Sequence, residues 1–250
     1  MKKLTLKQYL RYSSIYDRLA MISGSTYGVL LKNDFQFYNE LLKEKKIYKI
    51  FDIGSNNGIR LKTFINFSNY IVAVEPDPDL VSIIKYRFSN LKYLYIEEFA
   101  VSSSNGKAEF EKKKYSGFNT LSKKWSNILD IENIETIDKF IVKTITLDDL
   151  IKKHGNPDYV KVDVEGFELE VLKNLNTKIP IISFEVNLPD FLDESIGVIH
   201  HISKFNQRTS FNFRLGIDKS LKLVSNVGAD EIVDILGKMG KVSFDIFAFM

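Results

Sequence analysis

Short apolar runs alternate with amphipathic stretches through most of this chain. Ile50, Phe51 and Ile53 form one run, which breaks at Gly54-Ser55-Asn56-Asn57-Gly58. Ile59, Leu61, Phe64 and Ile65 then recur at helical spacing, and a second run, Ile71–Val74, closes on Glu75-Pro76. This order predicts strand, glycine loop, helix and strand, one βαβ unit with an acid at the end of its second strand. Pro76-Asp77-Pro78-Asp79 has the prolines and early acids of a helix start, and residues 80–88 continue it with Leu80, Ile83 and Ile84 inward. Residues 93–96 read as a third parallel strand ending near Glu97 and Glu98. Residues 102–106 turn the chain, and 108–112 read as the return strand of a hairpin. Residues 141–146 alternate as a strand, and 147–150 begin a helix. Residues 159–164 form a strand whose polar positions alternate, followed by a helix over 167–175 with Leu169, Leu172 and Leu175 inward. Residues 179–186 are a strand and 191–205 a helix holding His200 and His201. Residues 211–215, 221–224 and 243–250 are strands, the last suited to an antiparallel hairpin that closes the sheet.

Before the first strand, residues 4–42 read as helical. Leu6, Tyr9, Leu10 and Ser13 share a face, which Tyr16, Leu19 and Ala20 continue. A second helix begins at Asp34 as its cap and runs through Phe37 and Leu41. These helices flank the sheet, either as a lid or as a cover for its edge. The division is therefore a helical extension over 1–46 and one α/β domain over 47–250. Residues 115–140 lack strong periodicity and hold Gly117-Phe118-Asn119-Thr120-Leu121 and Trp125, the one tryptophan. Two readings stand for this insertion: a cap over a binding loop, or simple packing of the indole.

Composition narrows the class. The chain has 250 residues, enough for one large domain with a sizeable core. A net charge of +3 carries no nucleic-acid signal. The short runs Lys43-Glu44-Lys45-Lys46 and Lys112-Lys113-Lys114 read as solvated surface. There is no cysteine, which removes disulfides, thiolate metal sites and cysteine nucleophiles together, and agrees with a cytoplasmic location. Lys7, Gln8 and Arg11 interrupt the first apolar residues, so no secretory leader is expected, and no apolar run reaches the length of a membrane span. Oligomeric state is open.

The glycine loop carries the first chemistry. Two glycines at a strand-to-helix turn permit positive φ and close approach of a ligand to the backbone. The spacing is GxxxG rather than the GxGxxG of a pyrophosphate loop, and Asp52 stands before the first glycine. A carboxylate at the mouth of the strand suits a partly cationic nucleoside such as S-adenosylmethionine better than a diphosphate. Glu75, roughly twenty residues on, holds the usual place of an acid that bonds ribose hydroxyls. The alternative is an ordinary glycine turn in a parallel sheet. Glu97 or Glu98 would meet the adenine amino group, or would be a solvated strand-end acid. Lys161, Asp163 and Glu165 share one side of a central strand at its carboxyl end, where open α/β sheets bind ligands. Such charges either pair structurally or serve a site. Glu185 and Asn187 reach the same crevice.

Taken together, FDIGSNNG with VEPDP, FAVSSSNGKAEF, TLDDL, VKVDVEGFELEVL and FEVN resemble the FkbM family of S-adenosylmethionine-dependent methyltransferases over residues 48–190. The resemblance implies a class I methyltransferase (Rossmann-like) fold, a seven-stranded sheet with six strands parallel and one antiparallel, and helices on both faces. It implies methyl transfer, usually to a hydroxyl oxygen of a sugar or polyketide-like acceptor. By the same resemblance Asp52, Gly54, Asn56, Asn57 and Gly58 are the cofactor loop, Glu75 with Pro76 the ribose turn, and Glu98, Phe99 and Ala100 the adenine contact. Asp163, Glu165 and Gly166 match a second signature, and residues 117–121 a short loop over the site. Asn187 stands where many members carry histidine. For a hydroxyl acceptor the expected base is Asp163, then Glu165, then Glu185, with Lys161 holding a carboxylate in place. Asp163, Glu185 and Asn187 offer oxygen ligands of the kind magnesium takes, but no metal is assigned. Two rival functions are an NAD-dependent oxidoreductase with Glu75 on the ribose, which lacks GxGxxG, and a non-catalytic binding module on the same fold.

Overall fold

The structure is a computed structural model and describes residues 5–250; Leu4, the first residue of the expected N-terminal helix, lies outside that range. The core is a sheet of seven strands. β1 (Ile50–Ile53), β2 (Ile71–Val74) and β7 (Tyr159–Val162) are buried at every position, because helices cover both faces of a parallel sheet. β3 (Leu94–Glu97), β8 (Ile181–Leu188), β9 (Ser210–Leu215) and β10 (Val242–Phe249) complete the order β3-β2-β1-β7-β8-β10-β9. β10 runs antiparallel to both β8 and β9, and the other six strands share one direction, the arrangement the resemblance implies.

The pleat divides the core. Phe51, Ile53, Val160 and Val162 face one layer of helices, α7 (Leu147–His154), α8 (Glu168–Leu172), α9 (Leu192–Ser203) and α10 (Ala229–Leu236). Ile50, Ile71, Tyr159 and Phe247 face the other, with Phe37 and Tyr38 of α3 (Thr26–Leu42), Phe64 of α4 (Leu61–Phe64) and Ile84 of α5 (Pro78–Arg87). Each such side chain contributes about 1.5–3 kcal/mol by leaving water. The chain switches faces between β1 and β7, which opens the crevice at their carboxyl ends.

Several expectations are corrected. The N-terminal segment is three helices, α1 (Leu6–Arg11), α2 (Ser14–Ser23) and α3. The cap of α3 is Ser25, whose Oγ accepts the Gly28 amide at 3.2 Å. Gly28 is required there, since a Cβ would lie 2.0 Å from the Ala20 carbonyl oxygen of α2. Asp34 is no cap but lies mid-helix, buried between Arg60 and Arg214. Of Leu6, Tyr9, Leu10, Ser13, Tyr16, Leu19 and Ala20, which were read as sharing a face, Ala20 alone is buried.

The hairpin expected at 108–112 has a different partner. β4 (Ala100–Val101), β5 (Gly106–Lys113) and β6 (Thr136–Ile145) form a second sheet of order β4-β6-β5, with β5 antiparallel to β6 across an insertion that holds α6 (Lys123–Ile131). Of the Lys112-Lys113-Lys114 run, Lys114 alone is exposed surface. Lys113 is buried, its Nζ donating to Ser126 and Thr136 and pairing with Glu111 and Asp130. Lys112 pairs with Asp77 and Asp79 at the start of α5. Residues 221–224 are not a strand, because the Asn212 side chain bonds both the amide and the carbonyl of Leu223 and replaces a ladder. α10, which buries Ile232 and Leu236, had no sequence expectation.

Candidate functional site

β1 buries Asp52 directly before the glycine loop, 1 % exposed and behind the residues that line the cavity. Both carboxylate oxygens lack a hydrogen-bond partner, since Ser55 Oγ donates to the Asp52 carbonyl instead. Burial pushes this carboxyl up to about 6, against the pull of the Lys161 ammonium. The loop then turns on Gly54 at φ +82°, where a Cβ would sit 1.8 Å from the carbonyl oxygen of Asp163. That contact demands glycine and presses the β1 loop against the end of β7. Asn56 is left-handed at φ 50°, and its side chain bonds Ser116 of the insertion in both directions. Gly58 faces away from the crevice, toward Phe88 at the end of α5. The helix that follows is one turn long, so little of the expected helix N-terminus is available to a ligand.

Glu75, at the tip of β2, is buried. Its two carboxylate oxygens accept the amides of Asn56 at 2.8 Å and Asp77 at 2.9 Å, which joins the loop after β1 to the start of α5. Burial pushes its carboxyl up to about 8. Each oxygen keeps a lone pair.

These loops wall a cavity of about 290 Å³. Gly54, Asn56, Asn57, Glu75 and Pro76 line one side, and Phe99 and Ala100 line the apolar end. Lys161, Asp163 and Glu165 line the other side. Ser116, Gly117, Asn119 and Leu121 lie over it, so the insertion does cover the site, while Trp125 packs its ring edge-on to Phe191. Glu98 does not reach the cavity: it is exposed and pairs with Lys85. Glu97 turns to His154 and Lys153. Sequence reasoning missed Leu30 of α3 and Arg60, which also line the cavity. Leu30 gave no local signal. Arg60 follows the glycine loop directly, and the buried Asp34 and Arg214 that hold it lie 26 and 154 residues away, beyond the reach of periodicity.

The second feature is a knot of acids. Carboxylate oxygens of Asp163, Glu165 and Glu185 lie within 4.8 Å of one another. Asp163 accepts the buried Lys161 ammonium at 2.5 Å. Glu185 accepts from the Asn187 amide at 3.1 Å and Ser243 at 3.2 Å. Glu165 has no hydrogen bond to its carboxylate among the described residues, and its backbone is left-handed at φ 54°, a conformation that costs a non-glycine residue energy. Thr120 holds it by donating to its carbonyl at 2.7 Å. Next to it Gly166 is at φ +80°, with no room for a Cβ against Phe191. Glu168 supports the turn by accepting the amides of Val164 and Gly166, and burial pushes it up to about 7. Burial, reinforced by Glu185, raises Glu165 well above the carboxylate range; burial, reinforced by Asp163, does the same to Glu185. Three acids this close cannot all be ionised, so the group retains a proton. Glu185 itself lies outside the cavity and acts on it through Glu165 and Asp163.

Comparison with known proteins identifies the family. The profile of the methyltransferase FkbM domain matches residues 52–239. A hexuronic acid methyltransferase, AglP, from Haloferax volcanii is 29% identical over 140 residues, 55% of this chain and 54% of that protein. The chain thus spans about half the length of the curated relative it matches. The crystal structure of methyltransferase FkbM from Methylobacillus flagellatus superposes with a TM-score of 0.52 at 12% identity, over 82% of this chain and 44% of that one, a likeness of fold. The chain belongs to the FkbM methyltransferase family, and its cofactor is S-adenosylmethionine.

Proposed function

We propose that the protein transfers the methyl group to a hydroxyl oxygen of a sugar-type acceptor, with Glu165 as the base. The observation that carries this reading is the acid knot on the cavity wall, in which the one carboxylate that faces the cavity with no hydrogen bond is also strongly basic. The order of the expected bases changes accordingly. Asp163 accepts the Lys161 ammonium and serves to fix it, whereas Glu165, with no hydrogen bond to its carboxylate, is free to take a proton. The hexuronic acid activity of the Haloferax relative supports a carbohydrate acceptor. A carboxylate acceptor would need no base and would be repelled by three acids, so the geometry favours a hydroxyl.

The cofactor fits the other half of the cavity. Asp52 keeps a buried carboxylate without a partner, the arrangement a cationic group would complete. Glu75 has lone pairs left for ribose hydroxyls, and Phe99 and Ala100 offer an apolar wall to a base. The cofactor supplies an activated methyl group, so the protein's task is to align the acceptor and remove its proton. Residues 47–250 form the catalytic unit in this reading, and the helical extension adds Leu30 to its wall. The nicotinamide alternative has no glycine triplet behind it.

The test has two parts. Calorimetry should show micromolar binding of S-adenosylmethionine and its demethylated product. A panel of uronic acids, neutral glycosides and amino sugars, read by mass spectrometry, should give methyl ethers. Methyl esters or N-methyl products would contradict the assignment.

A further inference from the structure

Helices α1 and α2 expose apolar side chains in a way the rest of the surface does not. Ile15, Leu19 and Ile22 follow one another at i, i+4 and i+7 on α2, and Leu6 and Leu10 at i, i+4 on α1. They are between 59% and 82% exposed, and α1 buries no residue at all. Exposed apolar stripes of this kind on adjoining helices mark an interaction surface.

Its charge is one-sided. Lys7, Arg11 and Arg18 are exposed on the same two helices. Asp17 is the only acid in residues 5–25, and it turns inward. It is buried, pairs with Lys62 and Arg87, and accepts from Tyr27 Oη at 2.7 Å. The exposed charges of α1 and α2 are therefore all positive.

That face is firmly mounted. Tyr9 of α1 packs against Tyr86 of α5, whose hydroxyl donates to the Tyr9 carbonyl. Arg87 donates through Nη1 to the carbonyl of Asn57 in the glycine loop and through Nη2 to Tyr27, both at 2.9 Å. One guanidinium thus ties the helical face to the loop at the cavity.

We propose that the α1–α2 face docks the protein on an anionic lipid surface. Apolar side chains set between basic ones suit the boundary of headgroup and acyl chain, where burial and attraction to anionic lipid add. A second copy of this chain fits worse, because a two-fold interface on this face would bring Lys7, Arg11 and Arg18 against their own counterparts. No helix among the described residues is long and apolar enough to cross a membrane, and the attachment proposed is a peripheral one.

Co-sedimentation of the full chain with vesicles tests this. Binding to phosphatidylcholine vesicles containing phosphatidylglycerol should exceed binding to pure phosphatidylcholine about ten-fold or more and should fall with salt. The double variant Ile15→Glu/Leu19→Glu should lose about ten-fold or more, and so should Lys7→Glu/Arg11→Glu/Arg18→Glu. Circular dichroism and cofactor-product calorimetry should stay at wild-type values, since these side chains are exposed. Should a double variant misfold, the single Ile22→Ser must still weaken binding. Equal binding to both vesicle types overturns the proposal, as do variants that bind like wild type. A wild-type dimer dispersed by Ile15→Glu in sedimentation velocity would also overturn it and assign the face to self-association.

Discussion

The two halves of the crevice treat their acids differently. On the β1–β2 side, Glu75 is held by two backbone amides, and Asp52 sits alone beneath the loop. Each has a fixed neighbourhood that a bound cation or sugar would complete. On the β7–β8 side the acids are one another's neighbours, and burial with mutual repulsion raises Glu165 and Glu185 together. The first half is organised to hold a ligand with little change, the second to hold a proton that can move. Fixed backbone donors suit binding, and a pair of acids pushed out of their ordinary range suits proton transfer.

The contrast breaks cleanly if variants in one half leave the other alone. The largest effect is expected for Glu165→Gln, which keeps the shape but removes the base. Its kcat should fall roughly 100- to 10,000-fold while affinity for the demethylated cofactor is unchanged. Glu75→Gln should do the reverse. It replaces one of the two acceptor oxygens at the sugar end with an amide NH2, so cofactor affinity should weaken by roughly ten- to a hundred-fold in calorimetry, with a smaller change in kcat at saturation. A rate loss in both variants with no affinity loss in either would merge the two halves into one.

A third effect is on stability. The folded pKa of Glu168, about 7, lies above its unfolded value, so the folded state binds a proton that the unfolded state releases. That stability is fully present below the unfolded carboxylate pKa and is lost as pH rises through about 7. Without cofactor, the protein should therefore be less stable at high pH than at mildly acidic pH. Glu168→Gln keeps the acceptor for the Val164 and Gly166 amides and should remove about 3 kcal/mol of that decline in denaturant titrations. An unchanged decline would place the cost elsewhere.

Much of this was legible in the sequence because it is local. The βαβ unit, the acids at 75, 163 and 165 and the direction of the last strand follow from apolar runs and the residues that end them. The missed features join distant segments. Lys112 and Lys113 look like surface until Asp77, Asp79 and residues 126–136 fold onto them. Asp34 resembles a helix cap because nothing nearby shows that Arg60 and Arg214 will enclose it. Glu98 resembles an adenine contact by position, but Lys85 draws it outward. The apolar periodicity of α1 and α2 was real, yet period alone does not say which face meets the protein.

The shared proton is open to direct measurement. The pH dependence of kcat at saturating cofactor and acceptor, for wild type and Glu185→Gln, reads it. A base must be ionised to act, so the wild-type rate should fall as pH drops through a pKa well above that of an ordinary carboxylate. In Glu185→Gln the repulsion on Glu165 is gone, its pKa falls, and the acid limb should move to lower pH. A wild-type profile flat down to the ordinary carboxylate range, or an acid limb that stays in place in the variant, would contradict a proton held between Glu165 and Glu185.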